Sequence, residues 1–385
     1  MSKRKLTDQQ SRRVRTKRQA KNSSEDIIDS AKTTQATQPC EIVNSILSEE
    51  EHLVAADVSQ ANLLGEEQPG LVITSFGKRV LVEADSGEHF RCAIRQHLGK
   101  LVAGDRVIWQ TDIEAGTGVV IRVLPRTHEF SRPGFRGQTR MIAANIDFIG
   151  IVMPVLPGIH PDMIDRYLVG AAQLNLPAII IINKVDLLES DEDWDTIAAL
   201  LEPYTELGIE TVPASTLSQT GLAELQEFMS GKNSVLVGPS GAGKSSLINA
   251  LIPDLDIRVG ALSEATGLGK HTTTNSILYH LPLQDRPEDT SQKDGGNLID
   301  SPGIRQFSPT ACSASELASY YPDFAPFIGR CKYSNCTHSI EPECAIKEAV
   351  DSGEIAYSRY LSFQRMLEEF KIESGHSPTG INARS

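Results

Sequence analysis

The stretch Gly238-Pro239-Ser240-Gly241-Ala242-Gly243-Lys244-Ser245 fits the pattern G-x-x-x-x-G-K-[ST]. It follows the apolar run Val235-Leu236-Val237 and opens the helical pattern Ser246-Leu247-Ile248-Asn249-Ala250-Leu251. Strand, loop and helix in that order are the context in which such a pattern cradles phosphate. The glycines let backbone N–H groups close around β- and γ-phosphates, and the helix N-terminus adds its partial positive charge. Residues 238–246, Ser246 included, are the expected phosphate contacts. Lys244 is expected to neutralise phosphate and the Ser245 hydroxyl to hold Mg²⁺.

The base is expected to be guanine. Asn183-Lys184-Val185-Asp186 follows Ala178-Ile179-Ile180-Ile181-Ile182, a run apolar enough for a buried parallel strand. At the end of such a strand Asp186 can accept hydrogen bonds from guanine N1–H and the 2-amino group. Adenine lacks both and would leave the carboxylate unpaired. Asn183 is expected at the opposite edge of the base, and the Lys184 stem over its face. Pro213-Ala214-Ser215, after the strand-like Ile209-Glu210-Thr211-Val212, fits a backbone contact to the base.

Asp300-Ser301-Pro302-Gly303 ends the strand-like Asn297-Leu298-Ile299. Asp300 is expected to reach Mg²⁺ through water, and the Gly303 N–H to sense the γ-phosphate. Gly269-Lys270-His271-Thr272-Thr273-Thr274 is a first-switch candidate, with Thr273 assigned to Mg²⁺. Ile304 follows Gly303, where a water-orienting glutamine is common, so intrinsic hydrolysis is expected to be slow. His271 is the candidate to orient water in its place, because an imidazole can accept a proton near neutral pH. The chain order is base motif, small loop, phosphate loop, first switch, second switch. Ordinary GTPases begin with the phosphate loop, so this GTPase domain reads as circularly permuted, which a doubly wound sheet with neighbouring termini tolerates.

Cys331, Cys336, His338 and Cys344 form the pattern C-x4-C-x-H-x5-C. Three thiolates and one imidazole satisfy a tetrahedral Zn²⁺ with no open position, so one structural zinc is expected. Cys40, Cys92 and Cys312 lack partners at ligand spacing and read as packed or surface thiols. Downstream, Ile355 to Phe370 reads as an amphipathic helix.

These motifs need domains to position them, and 385 residues suffice for two or three cores. From Gly70 to about Pro133, five short strand patterns suit a small closed barrel, an OB-fold: Leu71–Thr74, Arg79–Glu83, His89–Ala93, Arg106–Gln110 and Gly118–Val123. Lys78, Arg79, Arg91, Arg95 and Lys100 on it would suit RNA backbone. A basic connector (Arg126, Arg132, Arg136, Arg140) leads to the first GTPase strand, Phe148–Val152. Residues 1–21 carry nine Lys or Arg against Asp8, about +8, so the rest holds about −21 of the net −13. Such an arm on an acidic body suits nucleic acid, and residues 22–68 read as linker. No run reaches the roughly 18 apolar residues of a membrane span. The polar sequence after the basic start is not a secretory signal. A cytoplasmic location is expected, where the six cysteines stay reduced.

From about residue 70 to 370 the arrangement resembles the circularly permuted ribosome small subunit-dependent GTPase A family (RsgA, formerly YjeQ). The resemblance rests on the permuted order N-K-V-D, G-P-S-G-A-G-K-S-S, G-K-H-T-T-T, D-S-P-G and on the cysteine–histidine pattern. It implies a multidomain α/β chain: arm and linker (1–69), OB-fold (70–133), permuted P-loop GTPase domain (134–310), and an α-rich zinc domain (311–385). It implies a GTP hydrolase, expected as a monomer, that binds the 30S ribosomal subunit and its rRNA. It implies a role in late maturation of the subunit, which stimulates hydrolysis of GTP to GDP, coupled to release. Some permuted GTPases carry a phosphate-loop asparagine that helps bind K⁺. Here Pro239-Ser240-Gly241-Ala242 has none.

Overall fold

The computed structural model describes residues 64–112, 117–133, 139–252, 255, 276–282, 295–301 and 307–373. The chain divides into Met1–Leu63 and a compact unit, Leu64–Ser385. The basic arm, most of the linker, Cys40, Arg136, His271, Thr272, Thr273, Thr274, Gly303 and Ile304 lie outside the described residues.

The second unit opens with β1 (Leu64–Phe76), β2 (Arg79–Ala84), β3 (His89–Ile94), β4 (Arg106–Asp112) and β5 (Thr117–Val123). β1 pairs with both β2 and β4, β2 with β3, β3 in parallel with β5, and β5 with β4. This closes a five-stranded barrel in the order 1-2-3-5-4-1, the OB arrangement. Val72, Val80, Val82, Cys92, Leu101, Val107, Trp109 and Val120 fill it. Successive side chains alternate faces, so Ile73 and Leu81 point outward and join the core of the following domain instead. β1 begins at Leu64, ahead of the expected Leu71, and takes in residues assigned above to the linker.

The basic connector is itself structured. β6 (Glu129–Pro133) and β7 (Thr139–Ala144) form an antiparallel hairpin. Arg126 is turned inward, where its Nε and Nη2 donate to the fully buried Asp105 at 2.6 and 2.9 Å.

The nucleotide-binding sheet is built from β8 (Phe148–Pro154), β9 (Ala178–Asn183), β10 (Thr211–Ala214), β11 (Asn233–Val237), β12 (Ile277–His280) and β13 (Asn297–Asp300). Its order is β10-β9-β8-β11-β13-β12, parallel except for β12. Both faces are covered, so the strands are continuous apolar runs. On one face Ile149, Ile151, Ile180, Ile182, Val235 and Val237 meet α1 (Pro161–Gln173) and α2 (Asp191–Thr205). On the other, Phe148, Val152, Ile179, Ile181 and Leu236 meet α3 (Leu222–Met229) and α4 (Lys244–Leu251). α2 starts at a reciprocal cap in which the Ser190 hydroxyl accepts from Asp193 N–H and Asp193 accepts from Ser190 N–H. Barrel and GTPase strands share one sheet through Thr74 of β1, which pairs with Ile277 of β12.

The remaining chain forms α5 (Ala314–Ser319), a 3-10 segment (Pro322–Phe327), α6 (Ala345–Asp351) and α7 (Tyr357–Glu373) around Tyr321, Phe324 and Phe363. α7 covers most of the amphipathic stretch expected over Ile355 to Phe370. It lies along α1, with Arg365 paired to Asp162, Arg166 to Glu369, and the Ser362 hydroxyl donating to Asp162 at 2.8 Å.

Candidate nucleotide site and metal centre

Ligands of doubly wound sheets bind outside the carboxyl ends of the strands, and the sequence motifs converge there. The register sets Asn183 of β9 beside Pro154 of β8 and Ala214 of β10. Val237 ends β11, and Asp300 ends β13 next to it.

The phosphate loop needs glycine at two positions for reasons visible in its neighbours. Gly238 has φ +147°, and a Cβ there would lie 2.3 Å from the Val152 carbonyl oxygen. Gly243, at φ +91°, caps α4, and a Cβ there would lie 2.3 Å from Asn183 Nδ2. Both conformations are left-handed, which side-chain-bearing residues rarely adopt. Lys244 is buried and its ammonium donates to the Gly238 and Pro239 carbonyls at 2.7 and 2.8 Å. Ser245 and Ser246 are exposed at the start of α4.

The base motif is wired to that loop. Asn183 is buried and its Nδ2 donates to the Ala242 carbonyl at 2.7 Å, while Lys184 Nζ donates to the Gly241 carbonyl at 2.8 Å. The Asn183 amide group fastens the motif to the phosphate loop. Lys184 takes a left-handed backbone, φ +67°, which turns the chain so that Asp186 follows on an exposed 3-10 turn. The Asp186 carboxylate is oriented by Ser215, whose hydroxyl donates to Oδ1 at 2.5 Å. That hydroxyl also accepts from the Leu217 and Ser218 N–H groups at 3.1 and 3.2 Å. The sequence pointed to a backbone role for residues 213–215; the side chain of Ser215 in addition holds the Asp186 carboxylate. A hydroxyl at the end of the neighbouring parallel strand was the signal available for it. Asp300 ends β13, and its charge together with burial pushes the Tyr279 phenol up, burial being the larger cause.

Cys331, Cys336, His338 and Cys344 converge as their spacing required, all four ligand atoms within 4.8 Å of one another. His338 Nδ1 lies 3.5 Å from both Cys331 Sγ and Cys344 Sγ, and those sulfurs are 3.9 Å apart. A positive φ at His338, +60°, folds the ring back over the cysteines. Its carbonyl accepts from the Tyr360 hydroxyl at 2.9 Å and Gln364 Nε2 at 2.7 Å, both on α7. Glu341 braces the loop by accepting from Thr337 N–H and Ser339 N–H at 3.0 and 3.1 Å. Burial pushes the Cys336 thiol up to about 12 and the His338 ring down. A cation favours the thiolates that burial opposes, so this donor set fits a metal ion.

On the barrel, Lys78, Arg79, Arg91, Arg95 and Lys100 are all exposed. Among the described residues no helix is long and apolar enough to cross a membrane.

Residues 123–310 match the family model described as RsgA GTPase. The small ribosomal subunit biogenesis GTPase RsgA of Azotobacter vinelandii is 43% identical over 308 residues, 79% of this chain and 86% of that protein. Its namesake from Mannheimia succiniciproducens is 40% identical over 311 residues, 80% of this chain and 85% of that protein. The crystal structure of YjeQ from Thermotoga maritima superposes with a TM-score of 0.63 at 33% identity, covering 79% of this chain and 99% of that one. YloQ, a circularly permuted GTPase, also gives 0.63, at 27% identity, covering 82% of this chain and 98% of that one. With base motif, phosphate loop and second-switch acid gathered at one sheet edge in permuted order, and with relatives this similar along four-fifths of its length, the chain belongs to the RsgA GTPase family.

Proposed function

We propose that the chain acts in the cytoplasm as a GTP hydrolase in biogenesis of the small ribosomal subunit; its relatives are named as GTPases of small ribosomal subunit biogenesis. It binds the 30S particle and rRNA, and the particle stimulates hydrolysis, which is coupled to release. The observation that carries the nucleotide reading is the tie between Asn183, Lys184 and the carbonyls of Ala242 and Gly241. It fixes the base-reading acid relative to the phosphate loop, so one nucleotide can span both. Asp186 reads guanine and residues 238–246 hold the phosphates, with Lys244 leaving the loop carbonyls for phosphate oxygens. Mg²⁺ would neutralise phosphate charge; Ser245, Asp300 through water, and Thr273 would hold it. His271 is assigned to the attacking water.

The exposed basic residues of the barrel and the basic arm support an RNA backbone contact. The cysteine–histidine centre takes one structural Zn²⁺. Tetrahedral zinc, with bonds of about 2.3 Å to sulfur and about 2.0 Å to nitrogen, sets sulfurs about 3.8 Å apart and sulfur–nitrogen edges near 3.5 Å. Between Cys331, Cys344 and His338 the separations are 3.9 Å for sulfur to sulfur and 3.5 Å for sulfur to nitrogen, and all four ligand atoms lie within 4.8 Å of one another. A monomeric state completes the reading. The decisive experiment is steady-state GTP turnover with and without purified 30S subunits. Slow turnover raised by the subunit is expected; a rate unaffected by subunits that demonstrably bind would sink the coupling.

A further inference from the structure

Glu83 on β2 of the barrel is shared by two histidines. Its Oε2 lies 2.8 Å from His89 Nε2 on β3 and 2.9 Å from His280 Nε2 on β12. The second contact crosses from the barrel to the nucleotide-binding sheet. The other ring nitrogen of His280, Nδ1, lies 2.7 Å from Asn297 Oδ1 on β13.

The proton positions in this cluster are fixed by a polar relay. Asn233 Nδ2 faces the Asn145 carbonyl at 2.7 Å, and a carbonyl can only accept. The Asn233 amide oxygen is therefore the atom that meets Asn297 Nδ2 at 2.8 Å. That orients the Asn297 amide as well and presents its oxygen, an acceptor, to His280 Nδ1. His280 Nδ1 must carry a proton. A neutral ring protonated at Nδ1 would aim the lone pair of Nε2 at a carboxylate oxygen, an acceptor against an acceptor. The His280 side chain is 45% exposed, and its two protein partners satisfy both nitrogens together only if both bear protons.

We propose that His280 is held as an imidazolium and is a positioning residue, a proton-dependent clamp fastening the barrel to the β12–β13 hairpin that ends in Asp300. The hairpin is short, four residues a strand, and His280–Asn297 is the paired end opposite Ile277–Asp300. At the Asp300 end the barrel holds it through Thr74, whose hydroxyl donates to the Ser276 carbonyl at 2.9 Å. At the other end the clamp does so. Among the described residues, the groups facing His280 include Glu83 from β2, with His89 from β3 on the same oxygen, and Asn297 from β13. Burial alone would raise Glu83, but the hydrogen bonds and charges of the two histidines carry it down to about 2. The separations of 2.8 and 2.9 Å are those of hydrogen bonds, shorter than the ligand-to-ligand edges at the cysteine centre. A proton, not a metal ion, joins these groups.

The sign follows from linkage. A histidine gaining a carboxylate titrates above its free value of about 6.5, so its contribution is complete below that value and is lost as pH rises through the folded midpoint. Glu83, depressed to about 2, withdraws its share only in strong acid.

Long-range proton–nitrogen correlation spectra of protein labelled at histidine nitrogen read the ring of His280 directly. Protons on both nitrogens at pH 7 are expected, with a midpoint that falls by about 1 unit or more in Glu83→Gln. Asn297→Ala permits a neutral ring protonated at Nε2, so there the midpoint falls while the contact to Glu83 survives. Above the wild-type midpoint, amide exchange in β12 should quicken and GTP turnover should fall. His280→Gln should show both changes at every pH, without the step. A ring with a single proton at pH 7 would overturn the proposal. So would a pH step in exchange and turnover that persists in His280→Gln.

Discussion

At the scale of single residues, the chemistry of the site was legible where it depends on type and spacing. It was obscure where it depends on which neighbour a side chain finds. Lys244 opens α4, Asp186 lies on the turn after β9, and the cysteine–histidine group converges, as motif spacing implies. Asn183 and Ser215 each make a contact within the site that motif spacing does not reveal. One bonds a carbonyl 59 positions away, the other a carboxylate 29 positions away. Two predictions belong here. Asp186→Asn presents a donor to the guanine N1–H edge, so GTP affinity should drop about 100-fold or more and preference should move toward xanthine nucleotides. Competition titrations with GTP, XTP and ATP check it, and unchanged selectivity would refute the assignment. Ser215→Ala leaves Asp186 in place but unoriented. A loss of about tenfold in GTP affinity is expected, one hydrogen bond to a charged group, with the preference for guanine retained.

At the scale of elements, the parallel strands could be read because burial on both faces leaves an unbroken apolar run, as in Phe148–Pro154. The β6–β7 hairpin could not. Its arginines suggest a solvated connector, whereas Phe130 between them is fully buried. Phe130 packs on Phe307, the first described residue beyond Ser301, with ring centroids 5.0 Å apart. Phe307 is received by α1 at Gly170, where a Cβ would come within 2.7 Å of the ring. Alanine there improves helix propensity by about 1 kcal/mol, yet forces Phe307 from its seat, typically about 1–3 kcal/mol. Gly170→Ala should therefore destabilise the protein in denaturant titrations, and pairing it with Phe307→Leu should recover part of the loss; a stabilised single variant would refute the packing argument. The metal centre is an element of the same kind, since its loop is fastened to α7 through the His338 carbonyl. Metal analysis should return one zinc per chain. Cys336→Ala should lose the metal and amide-exchange protection over α6 and α7 while GTP binding persists. Retained metal would refute the ligand set.

At the scale of the whole molecule, the seat of the C-terminal helices on the nucleotide-binding domain was hidden from the sequence. It depends on Arg359, which meets a partner 194 positions away. Arg359 is 2% exposed and lies between Asp165 of α1 and Asp323 of the 3-10 segment, pairing with the latter at 2.7 Å. Its guanidinium also sits over the rings of Tyr321 and Tyr204, at 4.7 and 5.4 Å from their centroids. Burial pushes Asp165 up to about 6 even against the charge of Arg359. Desolvation thus outweighs attraction, and the pair serves to register the helices more than to add net stability. Arg359→Met removes the largest of the attractions that offset this burial and leaves those of Ser362 and Tyr204, so the folded-state value of Asp165 rises further. An acid whose folded value lies above its unfolded value of about 3.9 loses stability as pH climbs between the two. The variant should be destabilised by about 3–5 kcal/mol at pH 8 and by distinctly less near pH 5, where Asp165 can take up a proton. Adding Asp165→Asn should remove most of that pH dependence. Denaturant titrations of the single and double variants at both pH values measure it. A penalty for Arg359→Met that is equal at the two pH values would mean that Asp165 does not sense the missing charge, and that the helices are held by packing alone.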